Sequence, residues 1–436
     1  MSTEPTPGRV KLLNTLFDHN PPESEALILS LYCNRTTELE RGLDGLRALD
    51  GAPKIHAIHG LPRSGKSHFA KVLLLKAKEE ALPFLFVEVN ANNRGSAKAV
   101  LEEVFFKFLH LIRGVPAEQV PEGQTAVYDE YLAELSQYEN VVGRDSAQFT
   151  MERSSTVHSM NEGRLEVGLA PFKIRAVGRN EVEEGDKSGL VQTSLSQREL
   201  TEILRYAIDA LGWLYSSQRI LLLVDDLDLL DRKGREGQPQ SELLVDYLQM
   251  LAEPPTLAAR PPCLVLATVR NASFTDRDKD FRDFVGLGLL EPENHLEIYQ
   301  RHIELLNAGA EVFAPDTLRW LEERSGGQIG MFLRRCHEVA FHFYKDLKAG
   351  NLITIEQVKR YVKKDIRDLV RNPELASVMS AVIGAVRSGQ PELVLSESPG
   401  ALEFKVLTQT SEPQKYRIND MYLDVLRELI NRKELS

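Results

Sequence analysis

The sequence predicts an α/β protein: a three-layer core around a mostly parallel sheet, then a helical lid region and a small C-terminal α+β segment. Three observations carry this expectation. Residues Gly60-Leu61-Pro62-Arg63-Ser64-Gly65-Lys66-Ser67 complete the pattern G-x-x-x-x-G-K-[ST] between an apolar strand candidate and a helix candidate. Continuous apolar runs at 220–224 and 263–267 read as strands covered on both faces, as in a parallel sheet wrapped by helices. After Pro292 the strand signals stop and helical periodicity takes over.

Taken in order, residues 1–28 form an arm rich in Pro, Glu and Ser, with one apolar stretch at 10–17 that suits a short docking helix. Leu39, Leu43, Leu46 and Leu49 then share a helix face. A strand at 54–58, the glycine loop and a helix over 68–79 follow, then a strand at 84–89 and a covering helix over 97–112. Residues 115–193 are an insertion that a compact core does not need. Within it, 164–169 and 172–176 alternate with period two around Ala170-Pro171 and predict a β-hairpin. Arg164, Lys173, Arg175 and Arg179 suit either its solvated face or contact with a partner, subunit or DNA.

Ser196-x-x-Glu199 is a capping box opening a helix through 214. The run at 219–224 ends in Asp225-Asp226, a helix covers 242–252, and the strand at 263–268 ends in Thr268. Helices are expected at 295–306, 315–323, 330–347 and 355–370. The last has an apolar stripe, Ile355, Val358, Val362, Ile366 and Leu369, and an opposite face carrying Arg360, Lys363, Lys364, Arg367 and Arg371. A helix at 375–387, short strands near 393–395, 404–407 and 416–418, and a helix at 421–430 are compatible with a winged-helix module. The expected units are therefore an arm (1–28), a core (29–291), a helical lid (292–371) and a C-terminal segment (372–436).

Composition narrows the function classes. With 436 residues, 42% hydrophobic and 27% charged, the chain has the make-up of an ordinary globular protein. No apolar run reaches the ~18 residues that span a bilayer, and the first residues lack a signal peptide's basic and apolar regions, so no membrane partner is expected. Cys33, Cys263 and Cys336 are isolated, which gives neither a zinc site nor a disulfide framework and suits the cytoplasm. A net charge of −11 excludes a surface that is wholly a nucleic-acid glove, leaving local basic patches.

The chemistry is expected at the glycine loop. Gly60 and Gly65 let main-chain N–H groups wrap phosphates, and the helix behind them adds N–H groups and a partial positive charge. Gly60, Leu61, Pro62, Arg63, Ser64, Gly65, Lys66, Ser67 and His68 are the expected cradle. Lys66 would reach the outer phosphates and Ser67 would ligate Mg²⁺. A plain Gly/Ser turn is the competing reading, disfavoured because all four fixed positions and both flanks agree. Asp225 is placed to hold the Mg²⁺ and Asp226 to polarise the attacking water, with Asp228 and Asp231 extending the acidic edge. Their other reading is a strand end that caps the next loop.

With these residues in view, the chain resembles the AAA+ ATPases of the origin-recognition and initiator branch, and is similar also to the STAND signalling ATPases. Asn34-Arg35-Thr36-Thr37-Glu38-Leu39 looks like the G-R-x-x-E-L lead-in of both groups. The resemblance implies ATP with Mg²⁺, and a sensor 1 role for Thr268, with Asn271 second. It implies an arginine finger acting on a neighbouring subunit, Arg282 first and Arg277 second, and hence a homo-oligomer. The expected sensor 2 arginine is replaced by Gly330, and Arg334, one turn on, is the substitute. The output is either assembly on duplex DNA, through the basic helix 359–371 and the C-terminal segment, or STAND-like signalling or antiviral defence through a protein partner with slow or negligible turnover.

Overall fold

The computed structural model describes residues 16–17, 24–48, 54–116, 118, 120, 123–139, 142, 196–215, 218–233, 239–253, 263–307, 309–395, 402, 405–410, 412 and 414–435. The expected hairpin at 164–176 and the arm ahead of Leu16 lie outside the described residues.

The elements run α1 (Glu25–Leu31), α2 (Thr36–Arg47), β1 (Ile55–Gly60), α3 (Lys66–Glu79), β2 (Phe84–Asn90), α4 (Ala97–Arg113), α5 (Thr125–Glu139) and α6 (Gln197–Leu214). Then come β3 (Arg219–Asp225), α7 (Gln240–Ala252), β4 (Cys263–Arg270), α8 (Asn271–Asp276) and β5 (Phe281–Leu287). The strand order is β2-β3-β4-β1-β5, with every neighbouring pair parallel. The alternation of a strand fixes the layers. Leu222, Val224, Val265 and Ala267 face α4, α6 and α7, whereas Leu221, Leu223, Leu264 and Leu266 face α2 and α3. Because both faces are covered, the central strands are apolar at every position, which is why they were legible.

Among the core elements that were not foreseen are β5 and α5. Strand β5 is an edge strand with exposed Arg282 and Asp283, so its apolar signal is broken. Helix α5 lies inside the expected insertion and packs on α4 and α6: Leu135 is fully buried and the Tyr128 hydroxyl donates to the Ile112 carbonyl at 3.0 Å.

Beyond the sheet lie α9 (Pro292–Leu306), α10 (Pro315–Glu323), α11 (Ile329–His342), α12 (Tyr344–Lys348), α13 (Ile355–Arg371) and α14 (Ala376–Arg387). The chain ends with β6 (Glu392–Val394), β7 (Leu407–Gln409), β8 (Lys415–Ile418) and α15 (Asp420–Asn431). The helix expected over 330–347 is interrupted at Phe343, whose ψ of 24° leaves the helical range. The predicted stripe of α13 is realised: Val358, Val362 and Ile366 are fully buried, and Thr354 and Gln357 form a reciprocal capping box. The antiparallel sheet β6-β8-β7 sits with α14 and α15, and these share one hydrophobic cluster with α9–α11 and α13. Phe17 belongs to that cluster, stacked on Tyr299 with ring centroids 5.2 Å apart. Among the described residues no helix is long and apolar enough to cross a membrane.

Candidate functional site

Strand β1 delivers the glycine loop to its C-terminal end, and the loop's shape follows from its residues. Arg63 (φ 62°) and Gly65 (φ 91°) both take left-handed backbone. A Cβ on Gly60 would sit 2.8 Å from both the Leu287 carbonyl oxygen and Ser64 Oγ, so only glycine fits there. The Ser64 N–H donates to the Leu61 carbonyl at 3.2 Å, and Gly65 caps α3. Ser64 Oγ is buried with no hydrogen-bond partner among the described residues, an orphan that a bound anion or its water would satisfy.

Lys66, the first residue of α3, is 8% exposed, and its ammonium donates to Leu61 O at 2.9 Å and Gly60 O at 3.3 Å. Burial lowers its pKa to about 8, while Asp228, Asp226 and Asp225 oppose the shift. Ser67 lies in the same first turn, half-buried. Pro62 is buried. The His68 ring turns away, Nε2 lying 2.8 Å from the Ile28 carbonyl.

The acidic edge is built by three strand ends. Asp225 closes β3, level with Asn90 of β2. The Thr268 hydroxyl donates to Asp225 Oδ1 at 2.6 Å, and Asn90 Nδ2 donates to Oδ2 at 3.2 Å. Thr268 Oγ1 also accepts the Asp226 N–H at 2.8 Å. One hydroxyl therefore fixes both the Asp225 carboxylate and the peptide that aims Asp226. Asp226 has a φ of 55°, a conformation Asp tolerates better than most side chains. Burial, then the nearby Asp225 and Asp228 carboxylates, push its pKa up to about 7 against the pull of Lys66 and Arg270.

Two arginines to which no motif gave a role at the loop complete the site. Arg270, at the end of β4, pairs with Asp228 at 3.1 Å and donates to Gln409 of β7, so the C-terminal sheet reaches this cleft. Arg35 is buried, and its Nη2 donates to Ser64 O at 2.9 Å and to Gly288 O at 2.8 Å. The lead-in motif located Arg35 without giving this role; the Arg270–Gln409 contact joins residues far apart in the chain and left no local signal.

The other expected residues divide by position. Arg334 lies one turn beyond Gly330 on α11, paired with Glu338 at 2.8 Å. It is near enough to Arg63 that, after burial, it helps lower the Arg63 pKa to about 10. Asn271 bonds His59 Nδ1 at 2.9 Å, a ring stacked 4.1 Å from that of Phe274, rather than the acidic edge. Arg277 pairs with Asp280 at 3.0 Å. Arg282 is exposed on edge strand β5, level with His56 and several residues short of the chain's own glycine loop.

The donor set fits a triphosphate with Mg²⁺: an ammonium, two left-handed loop residues, a helix N-terminus, an orphan hydroxyl and a carboxylate held by two hydrogen bonds. No family model matches the chain, and no curated protein matches it. Among solved structures the chain is similar to the Aeropyrum pernix ORC2 protein in its ADPNP–ADP complexes, at 14% identity and a TM-score of 0.40, covering 97% of this chain and 98% of that one. It is similar also to the Aeropyrum pernix ORC1 protein in complex with DNA, at 13% identity and a TM-score of 0.41, covering 98% of each chain.

Proposed function

We propose that the chain is a Mg²⁺-dependent ATPase that uses ATP binding and hydrolysis to switch its assembly or its hold on a partner. The carrying observation is the convergence of Lys66 and the Asp225–Asp226–Asp228 carboxylates at the C-terminal ends of β1 and β3, close enough for the aspartates to act on the proton affinity of Lys66 and for Lys66, Asp225 and Asp228 to act on that of Asp226. On this reading the loop from Gly60 to Ser67 binds the triphosphate, and Lys66 leaves its own loop carbonyls for the phosphates. Ser67 and Asp225 hold the Mg²⁺, which supplies charge neutralisation at the phosphates when bound. Asp226 takes the proton of the attacking water, and Thr268 keeps both aspartates aimed. Arg334 closes the site from α11, and Arg282 acts on a neighbouring copy.

The test is nucleotide binding followed by phosphate release with Mg²⁺. Lys66→Ala is expected to abolish binding of a fluorescent ATP analogue; undiminished affinity would refute the site. Asp226→Asn is expected to bind ATP and fail to turn it over.

The partner is the narrower part of the proposal. On α13, Lys363 pairs with Glu428 of α15 at 2.7 Å and Arg367 with Glu434 just beyond it, so the last helix and the residues after it occupy part of the basic face. Arg360, Lys364 and Arg371 remain exposed. With a net charge of −11, this favours a protein partner, as in the STAND-like reading, over a duplex. Binding to duplex DNA in the presence of ATP, weakening steeply with salt, would reverse that preference.

A further inference from the structure

We propose that α11 reads the state of the phosphate loop through two successive peptide carbonyls, those of Arg63 and Ser64, with Gly330 and Arg35 as the contacts that carry the signal. The proposal rests on the nucleotide site described above. A loop that turns its N–H groups inward to grip phosphate must turn carbonyls outward, and outward carbonyls that are buried need donors. Here one donor comes from the helical region and the other from the turn that leads into α2. The Gly330 N–H, in the first turn of α11, donates to Arg63 O at 2.9 Å. The Arg35 guanidinium donates to Ser64 O and, from the same nitrogen, to Gly288 O on the segment joining β5 to α9.

Both grips are close-fitted. A Cβ on Gly330 would lie 3.0 Å from Arg63 O and 3.0 Å from Arg63 Cβ, and one on Gly65 would lie 3.5 Å from Ile329. Glycine at 330 is therefore what lets the helix end rest on the loop. Arg35 is 4% exposed, pairs with Glu38 at 3.2 Å, and its own carbonyl accepts the Tyr32 hydroxyl at 2.8 Å. The residues before it are tied to α9: Asn34 donates to Glu297 at 2.9 Å, and Arg301 donates to Ser30 O at 3.0 Å. Reorienting the Arg63 or Ser64 peptide as an anion enters therefore cannot leave α9 and α11 undisturbed. Beside the Arg334 side chain, the loop's own carbonyls thus couple α11 to the site, and Arg35 is a positioning residue in that relay.

The experiment compares wild type, Gly330→Ala, Arg35→Ala, Arg35→Lys and Lys66→Ala. Two quantities are read: affinity for a fluorescent ATP analogue, and the change in amide hydrogen exchange at 329–333 on adding a non-hydrolysable ATP analogue. Wild type is expected to bind and to show that change. Gly330→Ala is expected to bind within about threefold of wild type while its exchange response shrinks about fivefold or more. Arg35→Ala is expected to lose the response, and Arg35→Lys, which keeps a donor for Ser64 O, to restore part of it. A full wild-type response in Gly330→Ala, or in Arg35→Ala should the glycine variant not fold, overturns the relay while leaving the nucleotide site standing. Absence of binding in wild type itself, matching Lys66→Ala, overturns the nucleotide reading and the relay with it.

Discussion

Asp226 is where local backbone and chemistry are most tightly joined. Its left-handed φ turns the carboxylate away from the strand line, and burial beside Asp225 and Asp228 lifts its pKa to about 7. A base must be ionised, so kcat/KM for ATP is expected to rise with pH through about 7. Lys66 must be charged, so the same quantity is expected to fall above about 8. A flat profile across pH 6–9 would remove both assignments. The stability sign runs the other way. An acid whose folded pKa is raised stabilises the fold only while protonated, and that contribution is lost as pH rises through about 7. Asp226→Asn is therefore expected to be more stable than wild type at pH 8, by about 1–3 kcal/mol, with the gain vanishing near pH 4. Denaturant melts at the two pH values measure it. Thr268→Val removes the hydroxyl that serves Asp225 and Asp226 together, and is expected to cost about 10–100-fold in kcat with a near-wild-type fold. Unchanged turnover in that variant would mean that the carboxylates are aimed by something else.

Among the elements, legibility tracked burial on both faces. Strands β3 and β4 announce themselves because Leu221–Val224 and Leu264–Ala267 must be apolar at every position. The edge strand β5 reads as Phe-Arg-Asp-Phe-Val-Gly-Leu, its outward positions free to be charged, and so passes for loop. Helix α5 is missed for a related reason: it covers helices rather than the sheet, and its tyrosines are only half-buried. In the site, the motif residues were found because a fixed spacing carries their chemistry. Asn90, Arg270 and Gly330's contact with Arg63 were not, because each is a meeting of separate elements that no window of sequence contains. The lead-in Arg35 stands between these cases, visible as a pattern and given its task only by Ser64 and Gly288.

At the scale of the molecule, two buried imidazoles are expected to add to acid sensitivity. Burial presses His56 and His295 down to about 4, Arg282 adding to the effect at His56. Unfolded, each takes a proton near the ordinary value, so the stability they allow is present above about 6.5 and lost as pH falls toward 4. The expected loss is about 1–3 kcal/mol for each, and His56→Leu should flatten the slope of melting temperature against pH over that range. An unaltered slope would place the acid sensitivity elsewhere. If Arg282 serves a neighbouring copy, phosphate release per molecule should climb with protein concentration, and Arg282→Ala should abolish the climb. The sheet order also bears on how the chain is made. Strand β1 pairs only with β4 and β5, both some two hundred residues downstream, while its nearest successor β2 pairs with β3. Such distant pairing slows folding. A growing polypeptide that has passed Ser67 already carries the whole phosphate-binding signature, yet it has nothing to lay that strand against until Cys263–Leu287 has left the ribosome.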